Sequence, residues 1–352
     1  MDANETDDHC YIYIGCQIDL WWPIVMTANA ALCFVLNSLV AITILRFKAL
    51  RSSKEYTLVL FLAIADAANA LGSTTGHGWR VLMAMQGTIC NCMSAIYCML
   101  FPYNWIWRWC DFSQSGMFMA ISCDRLFALF APARYFKCGR SYALKVGLGV
   151  YVVSAFCLSF GFIQPIKQAW KQVALVCLPS QFIAKEFYQF TTYTSNSLSI
   201  ASVLAYGVVW VKFKSVVGNK VNDKNDEVSQ RYKKRQRKIT LTLGISSLCT
   251  LLLSVIPGIV GMYFKTYLKH ILVFGVNPGD FLFQVENWNA NANFIMYAVR
   301  HEDFRKGLKA LFTMEKMPEN LQQWENTATA KVLVRTNTKS QSGMQSTTVN
   351  AQ

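Results

Sequence analysis

Apolar stretches of about 20 residues or more recur along this chain, each bounded by basic or turn-forming segments, as spanning helices require. The first runs from Trp22 to Leu45, and the second from Tyr56 through "LVLFLAIADAANALG" toward Trp79. Ile96 to Phe130, Ala143 to Ile166, Ile183 to Val211 and Ile239 to Phe264 follow. The last candidate, "GDFLFQVENWNANANFIMYAV" from Gly279, is the weakest by hydropathy, since it carries Glu286 and a cluster of Asn. It is kept because a helix shielded from lipid can turn polar residues into a bundle; a six-span chain is the alternative. With 53% hydrophobic residues, 15% charged residues and a mean hydropathy of +0.25, the chain is too apolar for an ordinary soluble domain.

Orientation follows from Lys and Arg, since short loops rich in them stay in the cytoplasm. "RFKALRSSK" after span one, "RYFKCGR" after span three and "RYKKRQRK" before span six lie on one side, with the segment opening "RHEDFRKGLK". Residues 1–21 are then an acidic outer tail, in which Asn4 of Asn4-Glu5-Thr6 is a glycosylation acceptor. The acidic start has no basic n-region, so span one is expected to direct insertion itself. The net charge of +14 belongs mostly to the cytoplasmic face and suits anionic lipid and acidic protein surfaces, not nucleic acid. On the outer side, Cys177 could bond to Cys98, with Cys92 or Cys90 as alternatives that sequence does not separate.

At the inner end of span three, "DRLFALFAPARY" places Asp124 and Arg125 at the close of a long apolar run. Interfacial anchoring would account for a charge pair there, because Arg near the interface snorkels or pairs. The whole phrase, with Pro132 and Tyr135, resembles the Asp-Arg-Tyr motif and second intracellular loop of rhodopsin-like G-protein-coupled receptors; Leu126 replaces the usual Tyr. Further landmarks follow in order. Asn37 in "LNSLV" and Asp66 in "LAIAD" match the first- and second-helix polar residues, and Pro257 in "LLLSVIPG" matches the sixth-helix Pro. Asn293 and Tyr297 in "NFIMY" match the last-helix motif, and "HEDFRKGLKALF" resembles the short helix after it. Within these receptors the altered motifs most resemble the nematode serpentine chemoreceptor families, the srsx class in particular.

The resemblance implies an all-α fold: a seven-transmembrane helix bundle over residues 22–312 that closes with a short amphipathic cytoplasmic helix, followed by a tail, 313–352, that is polar and disordered. It implies a polar core in which Asn37, Asn289 and Asn293 approach Asp66, with Gln114 in place of the usual third-helix Ser and room for a sodium ion. Arg125 would be held by Asp124 at rest and released to a heterotrimeric G protein, with Tyr206 and Tyr297 as polar partners and Pro257 as the hinge. Ser and Thr in the tail are possible arrestin-recruiting phosphosites. The Trp that usually precedes the sixth-helix Pro is absent. The amine receptors' third-helix Asp is Trp107 here, and the opsins' last-helix Lys is Asn287, which argues against both.

Candidate ligand residues are Trp107, Arg108 and Asp111 in "YNWIWRWCD", with Glu286 and Trp288 from the last span. Arg108 and Asp111, three apart on one face, either neutralise one another or leave Arg108 to an anionic ligand group. A small chemosensory molecule is the expected ligand, and a neuropeptide the alternative, at the plasma membrane and in a sensory cilium. A transporter would show internal repeats, and none is found. An enzyme would need a catalytic cluster, whereas His9, His77, His270 and His301 are scattered.

Overall fold

The computed structural model describes residues 20–88, 91–218, 244–245, 247–261 and 278–314. The long elements are α1 (Trp21–Arg46), α2 (Lys54–Met85), α3 (Pro102–Phe130), α4 (Arg140–Gly161), α5 (Lys185–Gly218), α6 (Ser247–Gly261) and α7 (Pro278–Arg300). A short helix, α8 (Glu302–Thr313), follows. The breaks between them are chemical. α1 ends where Phe47 turns extended, and Ser53, also extended, precedes α2. Pro132 lacks the N–H needed to continue α3, so a separate turn, Pro132–Lys137, begins there.

Pro102 corrects the expected start of the third span. The chain does not run as one helix from Ile96, because Phe101 is extended before the proline, and Ala95–Leu100 forms its own turn. Beside it, β1 (Cys92–Ser94) pairs antiparallel with β2 (Gln172–Ala174), setting Met93 opposite Val173. The Cys98–Cys177 disulfide joins the two connections at this end, with Cα atoms 5.3 Å apart. Cys92 is also disulfide-bonded.

Four of the described helices, α1, α2, α4 with its following turn, and α5, are long and apolar enough to cross a membrane. Large side chains such as Val152, Phe156, Leu204 and Val211 are exposed on their outer faces, where a soluble protein would carry charge. α3 and α7 span comparable lengths but carry the buried polar residues Asn104, Ser113, Asp124, Gln284, Asn289 and Asn293. They lie inside the bundle, α3 against α2, α4 and α5, and α7 against α1 and α6. This is why their hydropathy is low and their position central.

One apolar layer, Leu58, Phe61, Leu62, Met117, Ile121, Ala143 and Tyr206, ties α2, α3, α4 and α5 together. Another, Val40, Ile44, Leu50, Leu60, Tyr297 and Phe304, docks α8 beneath α1, α2 and α7. α8 is amphipathic in fact as in sequence: Phe304, Gly307 and Ala310 are buried, while Arg305, Lys306 and Lys309 face out. A Cβ at Gly147 of α4 would lie 2.3 Å from the Phe61 ring of α2, so α4 approaches only because that residue is glycine. Gly147→Ala is therefore expected to destabilise the folded chain by about 1–3 kcal/mol, read as a lower thermal-unfolding midpoint of the purified protein.

Candidate functional site

The densest charge cluster sits at the end that carries α8. Arg125 is 3% exposed and Asp124 is fully buried. Adjacent residues on a helix do not face each other, yet the Arg125 side chain folds back: Nε donates to Asp124 Oδ2 at 3.0 Å, and Nη2 donates to the same oxygen. Nη2 also donates to Tyr135 Oη at 2.8 Å, and Tyr135 Oη in turn donates to Asp124 Oδ2 at 3.1 Å. Burial pushes the Tyr135 phenol above its ordinary range, so it stays neutral and keeps the proton it donates.

Two further partners, absent from the residues singled out in the sequence, come from the start of α2. Glu55 Oε1 lies 4.0 Å from Arg125 Nη2, and its other oxygen accepts from Ser53 Oγ at 2.6 Å. Lys54 Nζ donates to the backbone carbonyls of Tyr135 (2.7 Å) and Cys138 (3.2 Å), and sits 3.4 Å from the Tyr135 ring centroid. Lys54 thus pins the turn after α3 onto α2, and that turn delivers Tyr135 to Arg125. Asp124 Oδ1 and Arg125 Nη1 remain without hydrogen-bond partners among the described residues.

Midway along the bundle, Asp66 of α2 is 2% exposed. Gln114 Nε2 donates to Oδ1 at 2.8 Å from α3, and Asn293 Nδ2 approaches Oδ2 at 3.4 Å from α7. Two of the expected contacts go elsewhere. Asn37 donates to the Cys33 carbonyl of its own helix at 3.0 Å, and Asn289 accepts from Thr250 Oγ1 of α6 at 3.3 Å. Both Asp66 oxygens thus face amide N–H groups. That set complements a bare carboxylate.

α6 carries a π-helical turn, Leu251–Val255, just before the buried Pro257. Wide turns and prolines both interrupt the regular hydrogen-bond ladder and permit a bend. Tyr206 of α5 is 4% exposed, near a Ser122–Ser202 hydrogen bond of 2.8 Å that joins α3 to α5. Tyr297 is buried against Phe304.

Toward the opposite end, Trp107 is 6% exposed and fills the space between helices. Its Nε1 donates to Ser73 Oγ of α2 at 2.9 Å, and its ring meets His77, Tyr103 and Phe283. Gly72 and Gly76 make room for it: a Cβ at Gly76 would lie 2.8 Å from the indole. Arg108 Nη1 pairs with Asp111 Oδ2 at 2.9 Å, so the two charges offset one another. Trp288 is 49% exposed, while Asn289 and Asn293 of the same helix are buried. Asn4 lies outside the described residues.

A helical bundle with a buried Asp-Arg pair at the inner end of its third helix, and an amphipathic helix docked after its last, defines a seven-transmembrane receptor. The family model described as "Serpentine type 7TM GPCR chemoreceptor Srsx" matches residues 30–312, and the chain belongs to that family. It is also 25% identical over 316 residues to trace amine-associated receptor 7b of Rattus norvegicus, covering 83% of this chain and 82% of that relative.

The Lys54 anchor can be tested without ligand. Lys54→Met is expected to loosen the turn that holds Tyr135 and to speed tryptic cleavage at the exposed Arg134 and Lys137 several-fold, as mapped by mass spectrometry of the folded receptor.

Proposed function

We propose that this receptor transduces binding of an external small molecule, a chemosensory cue, to a heterotrimeric G protein, and that the release of Arg125 is the transducing step. The observation that carries the reading is the closed ring of Arg125, Asp124 and Tyr135, with Glu55 at its edge. Buried and held by two acids and a phenol, the guanidinium is out of a partner's reach. The same group, freed, is a planar five-donor cation at the cytoplasmic end of the bundle.

The mechanism is a population shift. A ligand that binds the open arrangement better than the closed one moves the equilibrium by its differential affinity, and by no more. The route from the outer end to Arg125 runs through polar contacts between helices. Glu286, Asn289, Asn293 and Tyr297 follow one another at three- or four-residue spacing on α7, and Asp111 and Gln114 do so on α3. Asn289 meets Thr250 beside the π-turn of α6, so a small turn of α7 bears directly on the segment above Pro257. This contact supplies a link between α6 and α7 in a chain that has no Trp before that proline.

The rest of the chain fits the same reading. Residues 1–21 form the outer tail with Asn4 glycosylated, residues 313–352 form the cytoplasmic tail open to arrestin after phosphorylation, and the receptor works in the plasma membrane, in sensory cilia. The basic cytoplasmic face favours anionic lipid. The Cys98–Cys177 tie beside the paired strands β1 and β2 braces the outer end and favours a ligand small enough to lie among the helices.

Asp124→Asn is expected to raise basal nucleotide exchange on a co-expressed G protein by about 5-fold or more, within the usual range of allosteric coupling. Arg125→Ala is expected to abolish exchange while surface expression, read by antibody, stays at the wild-type level. Unchanged exchange in both variants would contradict the role assigned to the pair.

A further inference from the structure

The connection between α1 and α2 carries two adjacent serines, in "LRSSKE", whose surroundings are opposite. Ser53 is 2% exposed and its hydroxyl donates to Glu55 Oε2 at 2.6 Å, so it is committed inside the fold. Ser52 is exposed, and its hydroxyl donates to the Ala49 carbonyl of its own turn at 3.2 Å. Cations surround it in the chain: Lys48 four residues before, Arg51 one before and Lys54 two after, the first two exposed. An exposed hydroxyl among cations, on the cytoplasmic side, has the charge pattern by which basophilic protein kinases select a substrate.

Lys54 links this serine to the Arg125 ring. Its ammonium group pins the turn after α3 through the carbonyls of Tyr135 at 2.7 Å and Cys138 at 3.2 Å. Ser53, between the two, is extended (φ −76°, ψ 133°), which sets the Ser52 and Lys54 side chains on the same side of the chain. Both present acceptors of Lys54 are neutral. A phosphoryl group on Ser52 would add a charge of about −1.5 to −2 and three acceptor oxygens beside the ammonium, a Coulomb attraction that a carbonyl does not offer. The same charge would repel Glu55, three residues on, whose Oε1 lies 4.0 Å from Arg125 Nη2. Both effects loosen the closed ring from the α2 side.

We propose that Ser52 is a phosphorylation site, and that its phosphate draws Lys54 off the turn after α3 and so weakens the hold of Tyr135 on Arg125. The donor is a nucleoside triphosphate brought by a protein kinase. Ser52 Oγ forms a bond to the γ-phosphorus as the bond from that phosphorus to the β,γ-bridging oxygen breaks; the nucleoside diphosphate leaves, and the hydroxyl proton passes to solvent. Ser53 is not modified, because its hydroxyl is buried against Glu55. The inference rests on the reading of the Arg125 ring as the closed state of the receptor, and adds a covalent input to that ring from inside the cell, independent of any external ligand.

The test uses purified full-length receptor in lipid nanodiscs, magnesium ATP and the catalytic fragment of protein kinase C, which accepts a serine with a cation two residues after it. Mass spectrometry is expected to find phosphate on Ser52 and none on Ser53. Limited trypsin treatment of the same sample is expected to cut at Arg134 and Lys137 several-fold faster than in receptor incubated without kinase. Ser52→Ala, which keeps every other hydroxyl, is expected to remove the acceleration. Lys54→Met, whose turn is already loose, is expected to be cut fast with or without kinase. An unmodified Ser52, a phosphorylated Ser52 with unchanged cleavage, or an acceleration equal in wild type and Ser52→Ala would each overturn the proposal. Basal nucleotide exchange on added G protein is read separately on the phosphorylated receptor and is expected to rise. Faster cleavage without faster exchange would contradict the role given to Arg125 while leaving the displaced turn established, so the two readings fail in different assays.

Discussion

The guanidinium of Arg125 is buried, and the cytoplasmic half of the bundle is arranged around keeping it so. A charge taken out of water must be paired and hydrogen-bonded or it destabilises its surroundings by several kcal/mol. Here the partners come from three places: Asp124 from the same helix, Tyr135 from the turn after it and Glu55 from the start of α2. Each partner is itself fixed, Tyr135 by the Lys54 contacts and Glu55 by Ser53. The position of the turn thus depends on one ion-pair network, which also links the start of α2 to the end of α3. Because breaking one contact leaves a charge exposed to an apolar environment, the network favours two states, fully closed or opened to a partner that supplies new acceptors.

The same economy governs the middle of the bundle. Polar residues in spanning helices are tolerated where they meet one another, and they meet along a single column. From the outer end inward this runs through Asp111 and Glu286, then Gln114, Asp66 and Asn293, then Tyr297. Asn289 branches to Thr250 and so brings α6 into the column at its irregular turn. Apolar packing sets where the helices sit, and this column sets which small displacements are linked.

Much of this is legible in the chain. Span lengths, the sidedness of Lys and Arg, and the polar α7 held inside the bundle all follow from what hydrocarbon tolerates. Asp66 stands out because a carboxylate within the membrane is costly unless it is met, and the family resemblance is what brings Gln114 and Asn293 toward it. Glu55 and Lys54 are hidden inside "RSSKE", where they read as a charged loop; only the tertiary return of the turn after α3 gives them partners. A single aromatic in a span is equally suited to lipid and to a pocket, and only the helical phase of α7 shows that Trp288 is exposed. The break at Phe101 is signalled by Pro102 but masked by apolar residues on both sides. His77 carries no sequence signal, since its ring neighbours Trp107 and Phe283 come from other helices.

The central claim is that Tyr135 and the acids hold Arg125 away from its partner, and the most direct measurement removes one hydroxyl. Tyr135→Phe keeps the ring over Lys54 but deletes the bonds to Arg125 and Asp124. With purified receptor and G protein, the account predicts basal nucleotide exchange raised by about 5-fold or more, and returned to background when Arg125→Ala is added. Exchange that is unchanged or lowered in Tyr135→Phe would contradict it, and would mean that the closed ring is a packing feature of the fold with no part in signalling.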